Sequence, residues 1–445
     1  MKLNRIIASI VLAFSFMVYF FTMAPTVSYW DCGEFIATSY ILGVPHPPGS
    51  PLYLLLGRIF SMIPTNPDIA FRVTIISPLV SAIACMLLYL SIVKIILHWR
   101  GKIKDNTDIL IAFGGALVGS LTFAFTDSHW FNAVEAEVYA MSTFFTAIVV
   151  WLILLWSENA DNDGSERYLL IIAYMFGLAI GVHILNLLTL PFLALIIYFR
   201  KTDFKWKTFF ITMGLTAVVF LVIHNGIIKG LPRMSKLIGL EGVGLLVIIT
   251  FAIAIWAIKN KQQILSLIFT SIVLILVGYS SYATIFIRSG QDPMIDENDP
   301  ETISRAISYL EREQYGTIGQ LPRKYIKNKV GTPSHKATIV GNPEKVKTNN
   351  GKSYREVSSR QNRKYMFHNF STQWDFFWGY QMKKMYWRYF LWQFAGRGPS
   401  GDPGVSSFGA NSPAHPSPQD GVYWFHFGLP LALLLGLVGI FYHFN

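Results

Sequence analysis

The chain has 445 residues, 52% hydrophobic and only 14% charged, with a mean hydropathy of +0.41. A soluble protein carries roughly 25% charged residues, and runs of about 20 apolar residues, enough to cross a ~30 Å hydrocarbon core, recur here. These features exclude a soluble globular fold and imply an all-α polytopic membrane protein; the net charge of +11 then faces lipid phosphates rather than nucleic acid.

The first apolar run, Ile6 to Ala24, follows Lys2 and Arg5. It is too long for a signal-peptide core and no small-x-small cleavage site follows cleanly, so it reads as a retained span. Further spans are expected at 69–97, 109–126, 138–157, 168–183, 187–199, 207–224, 238–258, 263–287 and 423–442, about ten in all, the fifth and sixth short enough to form a re-entrant pair. Short-loop cations orient them. Lys2 and Arg5, then Arg100, Lys102 and Lys104, then Arg200, Lys201, Lys205 and Lys207, then Lys259 and Lys261 all fall on one side, the cytoplasm. The 225–237 loop, with Lys229, Arg233 and Lys236, is the short exception. Alternation puts the 25–68 loop, the 127–137 turn, the 183–186 turn and the segment from Arg288 on the outer face.

Within the first outer loop, 34–42 and 51–63 are mostly apolar between Gly and Pro breaks and suit short interfacial helices. Late in the chain, a polar segment is basic around 323–364 (Arg323, Lys324, Lys327, Lys329, Lys336, Lys345, Lys347) and aromatic at 374–394 (Trp374, Trp378, Trp387, Trp392), a composition for the headgroup layer. Residues 396–421 are rich in Gly, Pro and Ser. The implied organisation is a transmembrane core at 1–287, an extracytoplasmic segment at 288–421 and a final helix at 422–445, after which the chain is expected to continue. The two cysteines, Cys32 and Cys85, differ in depth and have no metal-type spacing. No internal repeat is evident, which weighs against a secondary transporter.

Acids at a membrane boundary are costly and usually functional. Asp31 and Glu34, spaced i, i+3 in Tyr29-Trp30-Asp31-Cys32-Gly33-Glu34-Phe35, would share a helical face. A partly desolvated carboxylate there can accept a proton from a hydroxyl, although Asp31 would equally serve as a helix N-cap. His46 lies in Pro45-His46-Pro47-Pro48-Gly49, where prolines hold the imidazole for a phosphate or sugar hydroxyl, or for structuring the loop. Glu135 and Glu137 are two apart and on a helix would point to different faces, one to the bundle and one to water or a partner. Alternatively they are a solvated span terminus. His183 and Asn186 sit at the outer end of span five, for a ligand or for bonding across helices. Arg288, just outside span nine, suits bidentate capture of a lipid phosphate, or simple snorkelling. The run Asp296-Glu297-Asn298-Asp299 offers oxygen ligands for a divalent cation without the spacing of a calcium loop. Nucleotide-binding, nucleophile-elbow and zinc-protease motifs are absent.

Together these segments resemble a known family. Asp31-x-Gly33-Glu34, Gly43-Val44-x-His46-Pro47-Pro48-Gly49-x-Pro51, Glu135-x-Glu137-Val138-Tyr139, Ile287-Arg288-Ser289 with Asp296-Glu297-Asn298, and Tyr389 to Arg397 are similar to a membrane family of Bacteroidetes known as a domain of unknown function. Its animal relatives are protein O-mannosyltransferases. Cys32 stands where a small residue such as serine is expected. The resemblance implies a GT-C glycosyltransferase architecture that takes a sugar from a polyprenyl-phosphate donor at the outer face of the bacterial inner membrane, with a catalytic carboxylate in the first outer loop.

On this reading Asp31 is the general base on a Ser or Thr hydroxyl of a secreted or envelope protein, and Glu34 positions the acceptor or tunes Asp31. Arg288 and His46 stabilise the departing phosphate. Glu135, Glu137, His183 and Asn186 bind sugar or acceptor. The scheme requires no metal and leaves room for a divalent cation as cofactor; the lipid-linked sugar is the co-substrate. The rivals are a transporter or lipid-linked-sugar flippase, which predicts polar groups near the midplane on broken helices, and a scaffold of an envelope assembly complex docking through 288–420.

Overall fold

The computed structural model describes residues 2–315, 325–328, 337–340, 356–357, 372–394 and 430–444. Most of the expected basic segment, the Gly/Pro/Ser-rich stretch and the start of the final span lie outside these residues. The chain divides into two compact units, one of residues 1–125 and 129–314, the other of 126–128 and 315–445.

The first unit is a helical bundle. Eight helices among the described residues are long and apolar enough to cross a membrane: Lys2–Thr22, Ile69–Arg100, Asn106–Ala124, Val138–Asn159, Ile184–Lys201, Trp206–Ile228, Gly230–Lys259 and Gln263–Ser289. One of the ten expected spans comes out shorter, and only the later part of the last lies among the described residues. Glu166–Ile180 has 15 residues and the C-terminal Leu431–Phe444 has 14, about 22 Å and 21 Å at 1.5 Å per residue. The first helix buries Ala8, Val11, Ser15 and Tyr19, one stripe at three- and four-residue steps. Gly230–Lys259 contains a break at Gly239 (φ 75°), so its apolar part begins where the 238–258 span was expected.

Two hydrophobic cores organise the bundle. One gathers Phe35, Tyr53, Met141, Phe176, Ile275, Tyr282 and Tyr309; the other joins the first helix, the Ile76–Arg100 helix and the segment around Ala112 to Ala133. Within the first core, Gly177 and Gly278 let two helices touch backbone to backbone. A Cβ on Gly278 would fall 2.4 Å from Leu178 N, the close approach that small residues permit between membrane helices.

The 25–68 loop folds into two short helices, Cys32–Ile41 and Pro51–Met62, in agreement with the apolar stretches in its sequence. A third short helix, Ile303–Glu311, buries Ala306, Tyr309 and Leu310.

The second unit contains three short antiparallel strands, Tyr325–Asn328, Ala337–Val340 and Glu356–Val357, in that order. It also holds the aromatic helical stretch from Gln373 to Phe394, on which Trp374 and Trp378 are exposed.

Candidate active site

Four segments far apart in sequence knit together at one end of the first unit. Ser50 Oγ donates to Val182 O at 3.0 Å, and Leu52 N to Gly181 O at 3.0 Å. Val44 N donates to Ile295 O, and Glu297 N to Val44 O, forming a short parallel bridge. Tyr309 Oη donates to Pro45 O at 2.5 Å and closes over Gly49, whose φ of +73° and 2.7 Å clearance to that hydroxyl admit no side chain without strain. The Pro-His-Pro-Pro-Gly loop is thereby fixed on both sides.

On that frame Asp31, Glu34 and His46 converge. Glu34 clamps His46 twice, accepting from its backbone N–H at 2.6 Å and meeting Nδ1 at 2.7 Å. Nε2 of His46 faces Asp31 Oδ2 at 4.0 Å. Phe35 lies against the imidazole at 5.5 Å between centroids. Asp31 sits at the N-cap position of Cys32–Ile41 yet makes no side-chain capping bond, and its side chain is 60% exposed.

The electrostatics are coupled. The Glu34 hydrogen bond raises His46 above the usual imidazole range despite burial, helped by the charges of Asp31 and Glu297. Burial pushes Glu34 up, but the His46 ring and backbone N–H outweigh it and hold the carboxyl below its ordinary value. Burial first, then the Asp31 charge, raise Glu137 to about 7. Burial raises Glu297 too, assisted by Glu34 and Asp31. Cys32, buried beside Glu137 with Sγ 3.9 Å from Oε1, is pushed up to about 11, chiefly by burial, so it remains a thiol.

Several sequence expectations change here. Glu135 and Glu137 are not on a helix: Glu137 is extended (φ −127°, ψ 151°) just before Val138. Both are 7% exposed, so neither is a solvated span end and the two-faces argument does not apply. Arg288 is occupied in holding the C-terminal end of Cys32–Ile41: Nε donates to Leu42 O at 2.8 Å, Nη2 to Ile41 O at 3.2 Å and Nη1 to Gln291 Oε1 at 2.5 Å. A guanidinium bonded to helix-end carbonyls is a cap, and these bonds engage three of its five N–H groups. His46 stands between two carboxylates, surroundings that repel an anion. Asn186 is committed to Ser142, Thr146 and His183 O across helices, the structural alternative for that residue.

His183 keeps a donor. Its Nδ1 accepts from Leu185 N at 3.2 Å, which puts the ring proton on Nε2. Burial, then the Arg312 charge, hold it below the usual imidazole range, so it is a neutral N–H donor. Tyr139 packs on its ring at 5.4 Å. Arg312, in the left-handed cap after Ile303–Glu311, carries no sequence signal. Glu297 was visible only as part of an acidic run. Just beyond Asn186, a cavity of about 340 Å³ opens between Leu187, Leu188, Pro191, Met213, Phe220 and Leu221, with an almost wholly apolar lining.

Comparison with known proteins bears on this site. The N-terminal domain model of "Protein O-mannosyl-transferase TMEM260" matches residues 31–206, a stretch that begins at Asp31. The chain is similar to "Protein O-mannosyl-transferase tmem260" of Dictyostelium discoideum, 30% identical over 240 residues, covering 49% of this chain and 27% of that protein. It is also similar to "Protein O-mannosyl-transferase TMEM260" of Mus musculus, 25% identical over 163 residues, covering 37% of this chain and 21% of the relative. The match thus spans about a quarter of the length of these curated relatives. No solved structure matches the chain. Through its N-terminal part, which supplies Asp31, Glu34, His46, Glu137 and His183, the chain is related to the protein O-mannosyl-transferases.

Proposed function

We propose that the protein is a membrane glycosyltransferase of GT-C type, moving mannose or another hexose from a polyprenyl-phosphate donor to a Ser or Thr hydroxyl of an exported protein. The observation that carries this reading is the Asp31–His46–Glu34 cluster: an exposed carboxylate backed by a clamped imidazole at one rim of a membrane bundle. Asp31 takes the proton of the acceptor hydroxyl as its oxygen attacks the anomeric carbon. The bond from that carbon to the phosphate oxygen breaks, the anomeric configuration inverts, and polyprenyl phosphate departs with the bonding pair. Nε2–H of His183, with the Arg312 charge acting on that ring, suits the negative charge that develops there. The apolar cavity beside His183 suits the first isoprene units. Glu137, half-protonated near neutrality, is fitted to hydrogen-bond a sugar hydroxyl as donor or acceptor.

A flippase is less well served. The titratable residues described above gather at one rim, whereas a carrier needs them near the midplane. We assign the rim to the periplasmic side of a bacterial inner membrane, on the short-loop cations. Intact-mass analysis of secreted proteins from a deletion strain tests the reading. Loss of a hexose increment, restored by wild type and not by Asp31→Asn, is expected. Unchanged glycoforms with an accumulating lipid-linked sugar would point to a flippase instead.

A further inference from the structure

We propose that Nε2 of His46 and the carboxylate of Asp31 hold a divalent cation, with Glu34 acting from behind the imidazole. The donor atoms of Asp31, Glu34 and His46 all lie within 4.8 Å of one another. Two details separate this arrangement from an ordinary hydrogen-bonded chain. First, Nε2 and Oδ2 are 4.0 Å apart, too far for a hydrogen bond yet close enough for two ligands of one ion with metal–ligand distances of about 2.0–2.2 Å. Second, Glu34 accepts from Nδ1–H, so Nε2 is the ring nitrogen whose proton a metal ion would displace. This carboxylate–imidazole–ion relay is the usual support of a metal-binding histidine. The second Glu34 bond, from the His46 backbone N–H, and the Phe35 ring fix the imidazole's direction.

Charge points the same way. Asp31, Glu34 and Glu297 act on His46, and Glu137 feels Asp31. Among the described residues none of these four carboxylates has a Lys or Arg ion-pair partner within 4.0 Å; the ion pairs of Asp31 and Glu34 are both with His46. A divalent ion at Asp31 would add positive charge to this group of carboxylates. Asp31 is open to solvent, which supplies an entry path. The mixed imidazole and carboxylate donors favour Mn²⁺ or Zn²⁺ over Ca²⁺. The ion would keep open positions for a substrate oxygen, while Asp31 Oδ1 stays available for the acceptor proton. That use rests on the glycosyl-transfer reading; the binding itself does not.

The test is metal binding by the purified full chain in detergent, stripped with a chelator and titrated with Mn²⁺ followed by electron paramagnetic resonance, with no donor or acceptor present. One ion per chain is expected, with a nitrogen ligand in the pulsed spectrum. Asp31→Asn and His46→Gln should each weaken binding by about 100-fold or more. Glu34→Gln should weaken it about 10- to 100-fold while both ligands remain. Glu158→Gln, an acid paired with Lys94 away from the cluster, should bind as wild type. Melting curves confirm that each variant is folded. Wild-type binding no tighter than that of a folded Asp31→Asn/His46→Gln double variant, or a bound ion without a nitrogen ligand, would overturn the site. Chelator-resistant sugar transfer without metal binding would remove the cation and keep the transferase; metal binding without transfer would do the reverse.

Discussion

His46 and His129 occupy comparable settings and behave in opposite ways. Each packs on an aromatic ring. His46 packs on Phe35. His129 packs on Phe123 and Tyr19, with Nε2 3.4 Å from Cys85 Sγ. His129 is 5% exposed and burial drives it down to about 4, so it is a neutral packing group. His46 is partly open, faces two carboxylates and is pushed up. In a membrane bundle, chemistry therefore follows access and charged partners rather than residue type.

Substitutions sharpen that contrast. Asp31→Asn should lower sugar transfer about 10²- to 10⁴-fold, measured as turnover per folded protein, with a melting temperature close to wild type because the carboxylate is exposed and caps nothing. Wild-type turnover would remove Asp31 from the mechanism. Glu34→Gln should cost about 10- to 100-fold in transfer, and about 1–2 kcal/mol of stability through the weakened bonds to His46. Denaturant titration and turnover on the same sample read both. His129→Leu should leave transfer within about twofold and shift stability by about 1–2 kcal/mol, since an apolar group of similar size replaces a neutral buried one. A large loss of turnover in a folded His129→Leu protein would break the contrast outright.

The smallest effect is the pH dependence of the Glu34–His46 pair. Glu34 lies below its ordinary 4.5 when folded, so its contribution is present above that value and lost as pH falls through the folded pKa. His46 lies above its ordinary 6.5, so its contribution is full below that value and lost as pH rises through the folded pKa. The pair stabilises most between 4.5 and 6.5. The difference in melting temperature between wild type and Glu34→Gln should peak in that window, by about 2 °C, and a flat difference would show that the pair is not charged.

Much of this was legible because it is local. The spans followed from apolar length. Asp31, Glu34 and His46 lie within one loop, so their association needed only a turn. What was misjudged depended on distant partners or on a wrong local period. The capping role of Arg288 has no local signal, because the carbonyls it bonds, those of Ile41 and Leu42, are about 250 residues away. Glu135 and Glu137 were read on a helical period, but the helix starts only at Val138. The placing of the Ile303–Glu311 helix has no local signal either, since Tyr309 on it bonds Pro45 across 264 residues.

That last tie bears on how the protein is made. The loop carrying Asp31 leaves the ribosome early, but the contacts that shape it come from Arg288, Ile295 and Tyr309. Closing such long intervals is entropically slow. Through most of synthesis the acids are present without their geometry, and a nascent chain truncated before residue 288 would hold every span up to the ninth yet lack a finished reaction centre. The loop that carries the acids thus takes its shape only after the ninth span has been made.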